Sequence, residues 1–358
     1  MTKKPYILVI NIGSTSTKLG LFLDGIPILK KAVDHKEEEL ASLVGVKARL
    51  LFHKEVIEKA LAEGLENRIK LHLVVSRGGA TRPLKGGPYL ITDTMCDDLR
   101  NARYGLHPTN LGPLIAHQIG EERGIPAIIF DSPMTDEMED VARISGLKGI
   151  DRKAGFHVLN QKSAAKKAAG ELKRAYTDIN LVVGHLGGGI TICAHRKGQM
   201  IDGTHGLNEG PFTPQRPGTL PLNDLMDLCF SGRFKSSHDL RACLMGQGGL
   251  VSYLGTFNMK EIEKRIHQGD TEARLITQAM CYQISKEIGA MSVALKGDVA
   301  AVVLTGNLCY SSFIVEEIRS CVSHVAPLIL FPGDDELENL AAGGLEAFRS
   351  GLDSVLVY

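Results

Sequence analysis

Residues 7–22, Ile7-Leu-Val-Ile-Asn-Ile-Gly-Ser-Thr-Ser-Thr-Lys-Leu-Gly-Leu-Phe22, read as a strand, a polar turn containing glycine, and a second strand. Residues 181–195, Leu181-Val-Val-Gly-His-Leu-Gly-Gly-Gly-Ile-Thr-Ile-Cys-Ala-His195, repeat that design. Each hairpin then reaches a second turn, Leu23-Asp-Gly25 in one and Arg196-Lys-Gly198 in the other. Asn11 aligns with His185 and Gly13 with Gly187 at the same offset, close to half the chain length. A repeat of that size points to a duplicated domain with a cleft between the halves. On this reading residues 1–155 form an N-terminal domain and 156–332 a C-terminal one. The last helix, within 333–358, is assigned to the first.

Working outward, short β-rich apolar runs recur at Tyr6–Ile10, Leu71–Val75, Ala127–Phe130, Leu181–Val183, Val299–Leu304 and Leu328–Phe331. Segments with helical periodicity lie between them, at Val46–Gly64, Gln161–Tyr176, Thr271–Leu295 and Asp335–Ser350. Alternation of strands and helices makes this an α/β protein. At 358 residues the chain is long for one core, which again favours two domains. No apolar run approaches the roughly 20 residues that span a bilayer, and Met1-Thr-Lys-Lys-Pro5 leads straight to the strand-like Tyr6–Ile10 rather than a leader sequence. Residence in the cytoplasm is therefore expected.

The seven cysteines include no C-x-x-C pair, so neither a disulfide framework nor a zinc site is expected, and each reads as a small buried residue. Basic and acidic residues balance at 41 each, tryptophan is absent and aromatics are 5%, so nothing resembles a nucleic-acid platform. The expected partner is a small molecule.

The turns carry the chemistry. A glycine-rich turn lets backbone N–H groups converge on an anion because no Cβ blocks the approach. The first turn adds the hydroxyls of Ser14, Thr15, Ser16 and Thr17 and the cation of Lys18, all suited to phosphate oxygens. A plain polar hairpin is the alternative for one such turn; two matching turns weaken it. Gly13-Ser-Thr-Ser-Thr-Lys18 lacks the spacing of G-x-x-x-x-G-K-[ST], and no G-x-G-x-x-G follows a strand.

Two phosphate hairpins in a duplicated α/β chain resemble the superfamily of acetate kinase, sugar kinases, Hsp70 and actin. Within it the chain resembles the acetate/butyrate kinase family over almost its whole length. The motifs are Asn11-Ile-Gly-Ser-Thr-Ser-Thr-Lys18, Ser76-Arg-Gly-Gly79, His107-Pro-Thr-Asn-Leu-Gly112, Phe130-Asp131, Gly155-Phe-His157, His185-Leu-Gly-Gly-Gly189 and Leu304-Thr-Gly-Asn307, in the family's order. Residues 137–146 and 210–221 are similar to its butyrate kinase branch. The resemblance implies a duplicated ribonuclease-H-like, actin-like ATPase fold, with ATP and a carboxylic acid meeting in the cleft.

It also implies roles. Arg77 and Arg216 would flank the transferred phosphoryl group, where guanidinium donors match oxygens gaining charge, and Arg77 would also hold the acid. A lone loop arginine is otherwise solvated or ion-paired. His185, and by motif His157, would stabilise the migrating group. Asp131, Glu336 and Asn11 would organise Mg²⁺; a strand-end aspartate can equally cap a helix, and Glu336 has Asp334, Asp335 and Glu338 beside it. Asn11, Gly13, Ser14, Ser16, Lys18, Gly187, Gly188, Gly189, Gly306 and Asn307 would bind nucleotide and phosphate. His107 and Asn110 would line the acyl side. Gln161 stands where the acetate branch carries a second histidine, and Asn258 where relatives often have an aspartate near the adenine.

The expected reaction is ATP plus butanoate, giving ADP and butanoyl phosphate, in a homodimer. A kinase for propionate, acetate or a branched acid is the rival within the enzymes. A chaperone or filament protein of the superfamily is the rival outside them, and the short segment after the last expected strand leaves little room for its appendage.

Overall fold

A computed structural model describes residues 4–64 and 69–358; Met1–Lys3, read above as leading into the first strand, lie outside the described residues. In chain order the elements are β1 (Tyr6–Ile12), β2 (Ser16–Leu23), β3 (Ile26–Asp34), α1 (Glu37–Ser42), α2 (Gly45–Gly64), β4 (Leu73–Ser76), β5 (Pro88–Leu90), α3 (Asp93–Arg100), α4 (Leu111–Arg123) and β6 (Ala127–Phe130). There follow α5 (Asp140–Arg143), β7 (Ile144–Leu147), β8 (Ile150–Asp151), α6 (Val158–Glu171), β9 (Asn180–Leu186), β10 (Ile190–Arg196), β11 (Gln199–Gly203), α7 (Leu222–Phe230), α8 (Ser237–Gln247) and α9 (Gly249–Leu254). The chain closes with α10 (Met259–His267), α11 (Thr271–Ala294), β12 (Ala301–Gly306), α12 (Ser312–Val322), β13 (Leu328–Pro332), α13 (Glu336–Arg349) and β14 (Leu356–Val357).

Packing divides the chain into two compact units, one of residues up to Asp136 with Asp335–Tyr358, the other of Glu137–Asp334. Sequence reading drew the first boundary at 155/156. Residues 137–155 go with the second unit because their polar groups are used there. Glu137 ion-pairs with the buried Lys162 at 2.7 Å and accepts from the Met200 amide, and the Glu139 amide donates to Ile201.

Each unit is built on a mixed sheet, and the two sheets share a plan. The first runs β14-β5-β6-β4-β1-β2-β3 and the second β11-β10-β9-β12-β13. In both, three antiparallel strands continue into two parallel ones: β3-β2-β1 then β4 and β6, and β11-β10-β9 then β12 and β13. The duplication inferred from the two hairpins is thus present in the topology. The matched turns differ by one residue. Ile12 pairs with Thr17 across residues 13–16, whereas Leu186 pairs with Ile190 across 187–189. The second turns of both hairpins place two residues at positive φ, Asp24 and Gly25 (53° and 85°) and Lys197 and Gly198 (47° and 90°). That conformation matches the twist of the flanking strands.

Both sheets are covered on two faces, so β1, β9 and β12 are almost continuously buried. In the first unit Ile57, Met95, Leu114 and Ile115 from α2, α3 and α4 pack on Leu8, Ile10, Leu19 and Val74. Helix α13 packs on β1 and β4, and Gly343 and Gly344 permit the approach. A Cβ on Gly343 would lie 2.3 Å from Phe130, and one on Gly344 2.5 Å from Val75. In the second unit Leu181, Val183, Ala301 and Val303 meet the alanines 164, 165, 168 and 169 of α6. Val182, Ile192 and Val302 meet α11 and α12 through Met280, Ile284, Ile288 and Ile314.

Two sequence expectations change. Helix α6 begins at Val158 and ends at Glu171, because the chain turns through Lys173 at positive φ (55°) and Tyr176 starts a separate 3-10 turn. The last expected strand, 328–331, is followed by one more, β14, paired to β5. All seven cysteines are free; Cys229 and Cys321 are exposed and Cys243 partly exposed, not buried, since α7, α12 and α8 turn those positions outward. No helix among the described residues is long and apolar enough to cross a membrane.

Candidate active site

Parallel strands deliver their carboxyl ends to one edge of a sheet, and in both units that edge carries candidate residues. In the first unit Asn11 lies at the end of β1, Arg77 follows β4 and Asp131 follows β6. The N-terminus of α13 brings Glu336 to them. Its Oε1 lies 2.7 Å from Arg77 Nη1, and its Oε2 accepts from the buried Asn11 Nδ2 at 2.6 Å, with Lys18 Nζ 3.7 Å away. Two of the neighbouring acids are engaged elsewhere. Asp334 belongs to the second unit and accepts from Asn160, Glu338 pairs with Lys30, and Asp335 precedes the helix. Two cations and one carboxylate leave the group with net positive charge, a setting for an anion.

Backbone geometry fixes Arg77. Gly78 takes φ 95° against Ser132, and a Cβ on Gly79 would stand 2.8 Å from Asn110 Cα. Asn110 is buried, and its amide is spent on the main chain: Oδ1 accepts from Ala80, and Nδ2 donates to Gly105 and Leu99. It braces the turn that follows Arg77. His107 is exposed, its Nδ1 accepts from the Thr109 amide, and desolvation, then the Arg77 charge, lowers its pKa. Asp131 is buried at positive φ (43°), pinned by the Gly87 amide at 2.8 Å on Oδ1. Gly13 closes its turn onto Ser16 by a backbone bond of 2.9 Å, and Ser14 sits at the exposed tip.

The second unit repeats the edge with different residues. His185 lies near the end of β9, Gly306 and Asn307 at the end of β12, and Asp334 after β13. Gly306 takes φ 95° with Leu186 O only 2.4 Å from where a Cβ would stand. Asn307, which follows it, is exposed. His157, at the start of α6, stacks on His185 with ring centroids 4.1 Å apart and planes 21° apart. Gln161, one turn along α6, does not reach the stacked pair; it bonds Thr191 and His195. Asn258 caps α10 by accepting from the Lys260 amide at 3.1 Å.

Over the turn 187–189 lies Arg216. A Cβ on Gly189 would be 2.4 Å from Arg216 Nη1 and 3.2 Å from His157 Cε1, so glycine is required for these groups to meet. The guanidinium is half-buried and donates to the Gly206 carbonyl at 2.8 Å. Among the described residues no carboxylate pairs with it, and desolvation lowers its pKa. Thr213, which sequence reading missed, ties the loop to the turn. Its hydroxyl accepts from the Gln215 and Arg216 amides and donates to Gly188 O at 2.9 Å. The Thr-Pro-Gln-Arg run is itself a turn signal that could have identified it.

Asn11, Lys18, Arg77 and Glu336 therefore form one group, and His157, His185, Arg216 and the three glycines another. Asn160, Thr191 and Thr213 join the second without having been expected. Among the described residues there is no cluster of three or more acidic, histidine or cysteine side chains able to hold a metal alone. A nucleotide-borne Mg²⁺ needs only one or two protein carboxylates, and Asp131 and Glu336 are of that type.

The acetokinase family model matches residues 143–354. Three solved structures share the fold. Acetate kinase from Porphyromonas gingivalis superposes with a TM-score of 0.78 at 18% identity, covering 96% of this chain and 100% of that one. A propionate kinase from Francisella tularensis gives 0.69 at 18%, covering 94% and 98%. Acetate kinase from Entamoeba histolytica gives 0.73 at 14%, covering 96% and 100%. At such identities these likenesses speak to the fold, while the family match extends over more than half the chain. The chain belongs to the acetokinase family, phosphotransferases whose acceptor is a carboxyl group.

Proposed function

We propose that this protein transfers phosphoryl groups between ATP and short-chain fatty acids, with butanoate as the preferred acid. The observation that carries the reading is Arg216, a half-buried guanidinium with no carboxylate partner among the described residues, lying across a three-glycine turn beside stacked histidines. Such a donor is placed for an anion rather than for a structural ion pair.

A carboxylate is ionised at pH 7, so it attacks the γ-phosphorus without a general base. The new bond joins carboxylate oxygen to phosphorus, and the bond to the β-phosphate bridging oxygen breaks, releasing ADP. What remains for the protein is alignment and charge. Arg77 and Arg216 take the equatorial oxygens, Arg77 also holds the acid, and His157 and His185 serve the migrating group. The turns at Gly13–Lys18 and Gly187–Gly189, with Gly306 and Asn307, hold nucleotide and phosphates. Asp131, Glu336 and Asn11 would hold Mg²⁺, which neutralises phosphate charge when bound. His107 belongs to the acyl side, and Asn110 positions the turn bearing Arg77.

Butanoate rests on the similarity of residues 137–146 and 210–221 to the butyrate branch. Each methylene in an apolar pocket is worth about 1–3 kcal/mol, so chain length is directly measurable. Trapping acyl phosphate as hydroxamate, with ATP, Mg²⁺ and linear acids of two to six carbons, should give a maximum in kcat/KM at four. A maximum at two or three carbons would make the protein an acetate or propionate kinase. No acyl phosphate from any acid would overturn the reaction.

A further inference from the structure

Two hydrogen-bond chains end on the stacked histidines, and each starts at a group whose character is fixed. The first starts at the main-chain carbonyl of Thr191, which only accepts. A nitrogen of the buried Gln161 amide lies 3.0 Å from it and 2.9 Å from Thr191 Oγ1, so Nε2 faces both. Gln161 Oε1 therefore faces His195 Nε2, 3.1 Å away, which must carry a hydrogen. His195 Nδ1 then accepts from the Tyr176 hydroxyl at 2.8 Å. Complete burial holds the His195 pKa at about 3, so this ring carries one proton and the pattern is consistent. Thr191 Oγ1, having accepted from Gln161, has its own proton to give. Among the described residues its remaining side-chain partner is His157 Nδ1 at 3.2 Å, to which we assign that proton. An imidazole that accepts at Nδ1 carries its hydrogen on Nε2.

The second chain starts at the Asp334 carboxylate, also an acceptor. Asn160 Nδ2 donates to it at 3.0 Å, which turns Asn160 Oδ1 toward His185 Nδ1 at 2.8 Å. His185 thus carries its hydrogen on Nδ1. The stacked rings are held in opposite tautomers.

We propose that Gln161 and Thr191 are positioning residues that lock His157 as a neutral Nε2–H donor to the phosphoryl oxygens, while His185 donates from Nε2 only after protonation. The identity of the acceptor rests on the kinase reading; the tautomers do not. A glutamine at 161 suits this purpose because its amide has one donating and one accepting end that cannot exchange roles. The buried His195 and the partly exposed Tyr176, which the reaction does not touch, hold it in that orientation.

The test is ¹⁵N NMR of histidine-labelled protein at about pH 8, above the ordinary histidine range, with His157→Gln and His185→Gln spectra for assignment. His157 should show a pyridine-type Nδ1 and pyrrole-type Nε2, and His185 the reverse. Thr191→Val should move the His157 shifts toward a tautomer average and lower kcat about five- to ten-fold, the worth of one hydrogen bond, with KM for ATP unchanged. Thr191→Ser should restore both. Hydrogen on His157 Nδ1 in the wild type would overturn the proposal, whether or not Thr191→Val folds. So would a Thr191→Val that loses rate with its His157 tautomer unchanged, or shifts tautomer with full rate. If the expected tautomers appear but no acid is phosphorylated, the reaction fails and the assignment stands.

Discussion

Glu336 shows how one side chain can order a group from distant parts of the chain. It meets Asn11 and Lys18, paired across one hairpin, and Arg77 after β4, two segments that sequence places far from it. Its role could not be separated in sequence from Asp334, Asp335 and Glu338, because all four sit within five positions and the choice depends on which way the helix start faces. Arg216 was legible as a turn arginine, but the lack of a carboxylate partner was not, since that depends on what folds around it. Its removal is the sharpest test at this scale. Arg216→Ala should lower kcat by about 10²–10³, the range found for a donor aimed at developing charge. Its melting temperature should stay close to wild type, because the guanidinium contributes one carbonyl hydrogen bond. Near-normal turnover would remove Arg216 from the mechanism.

The two hairpins were readable because glycine, alternation and turn residues are local signals, and the repeat doubled each of them. Helices α7 and α8 were not, and neither buries a residue fully. Nor was the one-residue difference between the matched turns, which only the pairing register reveals. Two glycines separate packing from function at this scale. A Cβ on Gly343 meets the ring of Phe130, held within the core, so Gly343→Ala should cost about 1–3 kcal/mol in urea unfolding. A Cβ on Gly189 meets the far end of a flexible arginine, so Gly189→Ala should leave stability nearly intact and cut kcat by displacing Arg216. Equal losses of stability in the two variants would contradict this division.

Across the whole molecule, each unit buries a histidine whose pKa is held well below the ordinary value. Desolvation, with His35 and Arg49 nearby, lowers the pKa of His53 from 6.5 to about 4, and burial, with Lys162, lowers that of His195 to about 3. Above pH 6.5 the folded and unfolded states bind the same protons at these sites, and stability is whole. As pH falls below 6.5 the unfolded chain takes up protons that the folded rings refuse, so stability drops. Each site should cost about 2 kcal/mol between pH 7 and pH 5. Urea midpoints at the two pH values measure it, and His53→Gln should remove the share of the first unit. Midpoints that hold steady would show that the rings protonate without unfolding.

The first unit is interrupted. All of its sheet but the edge strand β14 comes from residues before Asp136, yet β14 and the helix covering β1 and β4 come from the segment that begins at Asp335. During synthesis the second unit can therefore finish first, although it is encoded later. Until α13 emerges, the face of β1 and β4 that it covers waits open, a surface that chaperones would be expected to shield. A chain stopped short of Asp335 would lack this cover and Glu336 together. A truncated messenger would thus yield a product without its Arg77 partner, marked for disposal by the apolar surface it leaves bare.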